Sequence, residues 1–200
     1  WYQRRVRGIA MSHKHLDWKK LDDVCRYQKT AEAEQWRQKE WKVLDFNGNR
    51  YVSLSEFESW VKHFLPEFFY GDGNQYKMAF RYAYNKARLV VAKRPDQSKQ
   101  KQQLNDDYIT QPEFRFMLMY TRMIMEFYNM FDELDTSNDK KIQLEEFVLG
   151  AKRLNDWGAN ISDPAAEFRK IDKNGSGSIM FDEFMKYAME KDLDSDEDLD

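Results

Sequence analysis

The dipeptide Glu-Phe occurs four times in a fixed frame, and this repeat constrains the fold more than any other feature. In each copy a β-branched aliphatic residue stands four positions before the Glu. In three copies an Asp also stands eleven positions before the Glu, with an aromatic residue four positions before that Asp. A repeat at fixed spacing indicates one supersecondary unit used several times. The Glu residues are Glu56, Glu113, Glu146 and Glu183, the aliphatic residues Val52, Ile109, Ile142 and Ile179, the Asp residues Asp45, Asp135 and Asp172, and the aromatic residues Trp41, Phe131 and Phe168.

The frame has a direct physical interpretation. The aromatic residue lies one helical turn before a loop, and the Phe after Glu lies on the next helix, so both are expected to pack inward. A twelve-residue loop that begins with Asp and ends with Glu is the calcium-binding loop of an EF-hand. The aliphatic residue is placed to form a short strand that pairs two neighbouring loops. The sequence therefore predicts an all-α fold with four helix–loop–helix units in two lobes of paired EF-hands, joined by short loop-pairing strands.

Helix signals agree with this layout and divide the chain. Thr30 is a candidate cap for a helix through Leu44, and Asp163-Pro164 is a helix start. A long helix is predicted from Thr110 to Leu134. The predicted organisation is a basic N-terminal arm (1–29), an N-terminal lobe (30–127), a C-terminal lobe (128–191) and an acidic tail (192–200). We expect both charged ends to be solvated, or the arm to bind an acidic partner.

The fourth loop has the most favourable ligand set. Calcium takes oxygen ligands, mainly from side chains at positions one, three, five and twelve and from the backbone carbonyl at position seven. Position six is normally Gly because the chain turns there with positive φ. Gly177 occupies that position, so this loop is predicted to bind most tightly. Its predicted ligands are Asp172, Asn174, Ser176, the carbonyl of Ser178, and Glu183.

The third and first loops carry ligands but have a cationic residue at position six. Lys140 and Arg50 replace the Gly, at a cost of about 1–3 kcal/mol for a non-Gly residue at positive φ. Both loops are predicted to bind calcium more weakly. The predicted ligands of the third loop are Asp135, Ser137, Asp139, the Lys141 carbonyl and Glu146; those of the first are Asp45, Asn47, Asn49, the Tyr51 carbonyl and Glu56.

The second unit keeps Ile109 and Glu113-Phe114 but lacks the first part of a calcium loop. If Tyr84 is its framing aromatic residue, position one falls on Arg88, and the interval 88–113 is too long and too cationic to hold calcium. We predict that this degenerate, enlarged loop only pairs with the first loop.

Other classes of protein find little support in the sequence. No phosphate-binding Gly-rich loop or paired nucleophile and base is present, so the chain is predicted not to be an enzyme, and no nucleic-acid partner is expected. His13, His15 and His63 share no metal-ligand spacing with the single cysteine, Cys25. No run of about 20 apolar residues is present. Five methionines on the long helix either pack in the core or line a groove that opens with calcium: Met117, Met119, Met123, Met125 and Met130.

The segment 131–191 resembles the flagellar calcium-binding proteins, or calflagins, of flagellated protists. The similar residues are Asp156-Trp157-Gly158, Ile161-Ser162-Asp163, Ile171-Asp172 with Asn174-Gly175-Ser176-Gly177, and Phe181-Asp182-Glu183-Phe184; the stretch 113–118 resembles the family's long central helix. This resemblance implies four EF-hands, calcium sensing and a flagellar location. The family is anchored by acyl groups near its N-terminus. No Met-Gly-Cys start is visible here, so membrane attachment is not carried over.

Three functions remain open at this point. The first is a flagellar or ciliary calcium sensor whose helix geometry and partner binding change with calcium. The second is a structural component of the axoneme, held on acidic microtubule surfaces by basic segments that include Arg4, Arg5, Arg7 and the run 93–101. The third is a calmodulin-like regulatory subunit of an enzyme.

Overall fold

The computed structural model describes residues 17–66, 77–92 and 108–193. These residues are mostly helical. The elements in chain order are α1 (Trp18–Val24), α2 (Ala31–Leu44), α3 (Leu54–Phe64), α4 (Lys77–Ala92), α5 (Gln111–Leu134), β1 (Ile142–Gln143), α6 (Leu144–Asp156), α7 (Pro164–Ile171), β2 (Ser178–Ile179) and α8 (Phe181–Glu190). The all-α prediction is confirmed.

The helix boundaries follow the predicted signals. Thr30 caps α2, with its hydroxyl accepting a hydrogen bond from the Ala33 N–H at 3.2 Å. Asp163 caps α7, with its carboxylate accepting from the Ala166 N–H at 3.0 Å, and Pro164 takes the first helical position. These side chains satisfy N–H groups that the first turn of a helix leaves without partners. The long helix is also present as α5.

The chain forms two compact units that divide within α5. Residues Asp17–Met125 belong to the first unit, and residues from Glu126 onward belong to the second. The predicted boundary between the lobes, after residue 127, lies close to this division.

The residues of the repeated frame form the core of each unit. Trp41, Phe131 and Phe168 are buried, as are all four Phe residues that follow the framing Glu: Phe57, Phe114, Phe147 and Phe184. In the first unit, Phe114 packs against Trp41 and Trp60, with ring centroids 5.7 and 6.0 Å away. In the second unit, Phe131 packs edge-on against Phe184 at 5.8 Å. The inward packing predicted for both sets is confirmed.

The aliphatic residues of the frame pair the loops. Ile142 pairs with Ile179 in the antiparallel two-stranded sheet of the second unit. In the first unit, Val52 and Ile109 form an isolated antiparallel bridge with N–H to carbonyl distances of 2.8 and 2.9 Å. All four aliphatic side chains are completely buried. The predicted loop-pairing strands are therefore present, although they are very short.

Two parts of the predicted organisation differ from the structure. The predicted arm comprised residues 1–29, but its part from Asp17 onward belongs to the first unit and buries Leu21 and Val24 of α1 and the following Cys25. The degenerate loop was assigned to begin at Arg88, but α4 continues through Ala92, because nothing in this unit requires a metal loop to start at Arg88.

Several predictions concern residues outside the described ranges. They include the basic arm 1–16, the cationic part 93–107 of the second unit, and the acidic tail from residue 194.

The five methionines of α5 are all buried. Within the described ranges, no helix is both long and apolar enough to cross a membrane.

Candidate calcium sites

The fourth loop folds around the carboxylates at its two ends. Asp172 accepts hydrogen bonds from the N–H groups of Ser176 and Gly177, both at 2.9 Å. Gly177 has φ 81°, as position six requires. Glu183 accepts from the Asn174 side-chain amide at 3.0 Å and from the Met180 N–H at 3.1 Å. The first and last predicted ligands therefore both face into the loop.

The third loop has the same geometry with a strained residue at its turn. The Lys140 N–H donates to Asp135 at 2.9 Å, and Lys140 has φ 69°. The carboxylates of Asp135 and Glu146 are buried at the two ends of the loop. Asp139 accepts from the Lys141 N–H at 3.0 Å and from the Gln143 side chain at 3.1 Å. The positive φ predicted at position six is thus present.

Glu146 is held ionised by its hydrogen bonds. Partial burial would by itself raise the pKa of its carboxyl group. The N–H groups of Gln143 and Ser137, with the Thr136 hydroxyl, donate to the carboxylate and lower the pKa below its ordinary value. Hydrogen bonds to the charged form of an acid favour that form. The twelfth residue of this loop therefore stays ionised to a lower pH than an ordinary Glu, in the charged form that calcium ligation requires.

The first loop contains a buried carboxylate oxygen that lacks a donor. One oxygen of Asp45 accepts from the Arg50 N–H at 2.9 Å. The other oxygen, Oδ1, is buried and has no hydrogen-bond partner among the described residues. A buried oxygen without a partner costs free energy that a cation can offset. This loop therefore fits a calcium ion, although Arg50 has φ 68°.

The remaining ligands of the first loop are arranged around Glu56. Its carboxylate accepts from the Asn47 side-chain amide at 2.7 Å and from both the N–H and the hydroxyl of Ser53 at 2.8 Å. Asn49 accepts from the Tyr51 N–H at 2.8 Å. With the hydrogen bond from the Asn49 N–H to the Asn47 side chain at 2.9 Å, these contacts link three of the predicted ligands, Asn47, Asn49 and Glu56.

Comparisons with known proteins agree with this geometry. A family model for an EF-hand domain pair matches residues 124–189. The chain is 34% identical over 185 residues to the flagellar calcium-binding protein of Trypanosoma cruzi, covering 92% of this chain and 83% of that protein. The chain belongs to the flagellar calcium-binding protein family. It is also 28% identical over 196 residues to the flagellar calcium-binding proteins TB-24 and TB-1.7G of Trypanosoma brucei brucei, covering 93% of this chain and 82% and 78% of those proteins.

The second EF-hand of this family member keeps the residues of the repeated frame, although most of its loop lies outside the residues that the structure describes. Glu113 is completely buried and accepts from the N–H and hydroxyl of Thr110 at 2.8 and 2.7 Å. Glu113 therefore caps the start of α5, as Glu56, Glu146 and Glu183 also do for the helices that follow their loops. Ile109 still pairs with Val52, as the frame predicts.

The carboxylates alone do not form a metal centre in this family member. Among residues 17–66, 77–92 and 108–193, no group of three or more His, Cys, Asp or Glu side chains could share a metal ion. The predicted amide, hydroxyl and carbonyl ligands are therefore essential to any site, and an oxygen-only set of this kind suits calcium. His63 is exposed and lies outside the three loops.

One polar contact in the first unit had no signal in the repeat. The hydroxyl of Tyr84, on α4, donates to the backbone carbonyl of Val52 at 2.7 Å. It thereby ties the second helix–loop–helix unit to the bridge beside the first loop. The frame identified Tyr84 only as an inward-facing aromatic residue. The partner of its hydroxyl could be found only from the structure, which shows the bridge between Val52 and Ile109.

We predict that Lys140→Gly tightens calcium binding at the third loop by about tenfold, since a non-Gly residue at positive φ costs about 1–3 kcal/mol. Calorimetric titration of the full chain measures the change. Lys141→Gly is the matched control, because it removes the same charge from the next residue, which does not have positive φ. If Lys140→Gly raises thermal stability but not affinity, the turn keeps its conformation with or without the ion.

Proposed function

We propose that this chain is a calcium sensor of the flagellum or cilium. The observation that carries this proposal is the position of the twelfth loop residue. Glu56, Glu146 and Glu183 each lie in the first turn of the helix that leaves the loop. Each also accepts hydrogen bonds from earlier residues of its own loop. A carboxylate that joins the loop to a helix can convert ion ligation into a change of helix position.

The pairing of the loops supports a cooperative response within each unit. Ile142 and Ile179 connect the third and fourth loops, and Val52 and Ile109 connect the first loop to the second EF-hand. A rearrangement in one loop therefore acts directly on its partner. The location is proposed because the relatives are named flagellar calcium-binding proteins.

The three loops proposed to hold calcium share a positive φ at position six but differ in the residue that adopts it. Gly177 adopts positive φ without steric cost, whereas Lys140 and Arg50 adopt it with strain. We therefore propose that the fourth loop binds most tightly, and that the third and first loops bind at higher calcium concentrations. A graded set of affinities would extend the range of calcium concentrations to which the chain responds.

Two measurements test this proposal. Calorimetric titration with calcium, with and without magnesium, measures binding, and the fluorescence of a dye that binds apolar surface measures the conformational response. A sensor should bind calcium in the presence of magnesium and should increase dye fluorescence as the methionines of α5 become exposed. Calcium binding without any dye response would support the structural alternative and contradict the sensor proposal.

The structural alternative is favoured by the charge of the N-terminal arm. Residues 1–16 contain Arg4, Arg5, Arg7 and Lys14 and no carboxylate side chain. A cationic segment of this kind suits an acidic protein surface such as a microtubule. On this alternative, we propose that the chain binds an acidic protein of the axoneme.

We predict that deleting residues 1–16 leaves calcium binding intact but weakens cosedimentation with microtubules. The deletion stops before Asp17 because Asp17 caps α1 and α1 belongs to the first unit. The attraction of the full chain should weaken as salt rises above physiological strength, where the screening length is about 8 Å. A truncated chain that cosediments as well as the full chain at equal salt would exclude a role for the arm.

A further inference from the structure

The segment Asp17–Gln28, here called the α1 segment, is bound to the first unit by its own contacts. It buries Leu21, Val24, Cys25 and Tyr27. The helix within it has seven residues. A helix this short is not stable alone in water. The α1 segment therefore holds its conformation only because the EF-hand helices bind it.

Arg122 of α5 holds the segment through two kinds of contact. Its side chain is only 7% exposed and makes an ion pair with Asp22. Its guanidinium also lies over the ring of Trp18, 4.6 Å from the centroid. Both interactions are strengthened where water is excluded. Arg122 therefore fixes α1 against α5 through a charge and an aromatic ring together.

Two further arginines bind the end of the segment. Arg115 of α5 donates to the Tyr27 carbonyl at 2.8 Å. Arg37 of α2 donates to the carbonyls of Arg26 and Gln28 at 2.7 and 3.0 Å. The α1 segment consequently bridges α2, which leads into the first loop, and α5, which follows the second EF-hand.

A short chain of ring contacts connects this bridge to the first calcium loop. Trp60 lies one turn after Glu56 on α3 and contacts Trp36 of α2, with ring centroids 6.4 Å apart. The guanidinium of Arg26, in the α1 segment, lies 5.6 Å from the centroid of Trp36. A displacement of Glu56 therefore reaches the surface on which the α1 segment rests.

We propose that the α1 segment leaves its seat on α2 and α5 when the first loop binds calcium. Glu56 is bound by Asn47 and Ser53 in this structure, so it must exchange those donors when it ligates an ion. The resulting movement of α3 shifts Trp60, which packs against Trp36 of α2 and Phe114 of α5, and so disturbs both surfaces that the segment bridges. By linkage, the seated segment opposes calcium binding at the first loop to the same extent. This inference rests on the proposed sensor function.

Cys25 provides a direct probe of this release. It is the single cysteine of the chain, and it is 1% exposed. Burial raises the pKa of its thiol to about 12. A thiol reagent needs both access and the thiolate. The rate at which Cys25 reacts therefore reports how often the α1 segment leaves its seat.

The experiment measures the reaction of the full chain with a maleimide at fixed pH, with and without calcium. Calcium should accelerate labelling by at least about tenfold, the effect of removing one hydrogen bond to a charged group. Glu56→Gln should abolish the acceleration, whereas Glu183→Gln should retain it. Without calcium, Asp22→Asn should accelerate labelling by about tenfold, and Trp18→Leu, which leaves the Asp22 charge near the Cys25 thiol unchanged, should accelerate it as well. The matched change Asp23→Asn should have little effect, because Asp23 is exposed and 3.8 Å from Arg26.

The outcomes separate this inference from the sensor proposal. If Glu56→Gln loses part of the calorimetric heat, the first loop binds calcium. If calcium then leaves the labelling rate of the full chain unchanged or lowers it, the release of the segment is overturned and the sensor function still stands. Absence of calcium binding at every loop would overturn both. If Asp22→Asn is not folded by circular dichroism, Trp18→Leu replaces it, since it removes the ring over Arg122 and keeps the ion pair. If Trp18→Leu does not change the labelling rate, the α1 segment stays rigidly bound to α2 and α5, which contradicts the proposal.

Discussion

Glu183→Gln is expected to remove the calcium site proposed to be the tightest, and to weaken the fourth loop by well over a decade in affinity. Glu183 closes the loop that has Gly at its turn, and the twelfth residue of an EF-hand supplies two oxygens and a full charge to the ion. The amide keeps the size of the side chain but loses the charge. Calorimetric titration should therefore lose its strongest component.

Glu190→Gln is the matched control for this change. Glu190 is the last residue of the same helix and lies outside the calcium loop, and its 3.8 Å ion pair with Lys173 is exposed to solvent. Exposed pairs of this kind contribute little. The strongest component should persist in Glu190→Gln. If it also persists in Glu183→Gln, the ranking of the loops is wrong and the third or first loop binds most tightly.

The parts of the fold that sequence could predict are those fixed by the stereochemistry of one loop. Asp45 and Glu56 must stand at a set spacing to face the same space, and Val52 must stand between them to reach the neighbouring loop. The same spacing places Trp41 and Phe57 on the inner faces of the flanking helices. Local geometry therefore determined the core positions and the pairing of the loops, and the structure confirms both.

The seat of the α1 segment could not be predicted because its contacts are remote in sequence. Asp22 and Arg122 are 100 residues apart. Charged residues near Asp22 are typical of a solvated surface, and the chain around Arg122 predicts only a long helix. Residues 1–29 were therefore interpreted as one basic arm, although Leu21, Val24 and Cys25 are buried.

The start of the degenerate loop was misplaced for a related reason. The frame assigns position one by counting from Tyr84, and the count is meaningful only where a metal must be enclosed. At Arg88 no ligand requirement ends the helix, and Ala87, Leu89 and Ala92 favour its continuation. The helix α4 accordingly continues through Ala92.

The degenerate second EF-hand should still be essential to the stability of the first unit. Phe114 follows Glu113 in its frame and is 1% exposed. Its ring contacts Trp41, before the first loop, and Trp60, after it. The residue therefore joins the second EF-hand to both helices of the first. The helix that follows the loop predicted to be degenerate is therefore part of the shared core.

We predict that Phe114→Ala lowers the free energy of unfolding by about 3–5 kcal/mol, the usual cost of truncating a buried Phe. Denaturant unfolding in a calcium chelator measures this cost without a contribution from bound metal. Phe46→Ala is the matched control: Phe46 is 75% exposed, so its removal should change stability by about 0.5 kcal/mol or less. An equally small effect at Phe114 would mean that the second EF-hand contributes little to the core. Because Trp41 and Trp60 flank the first loop, the Phe114→Ala chain should also bind calcium more weakly there than the Phe46→Ala chain.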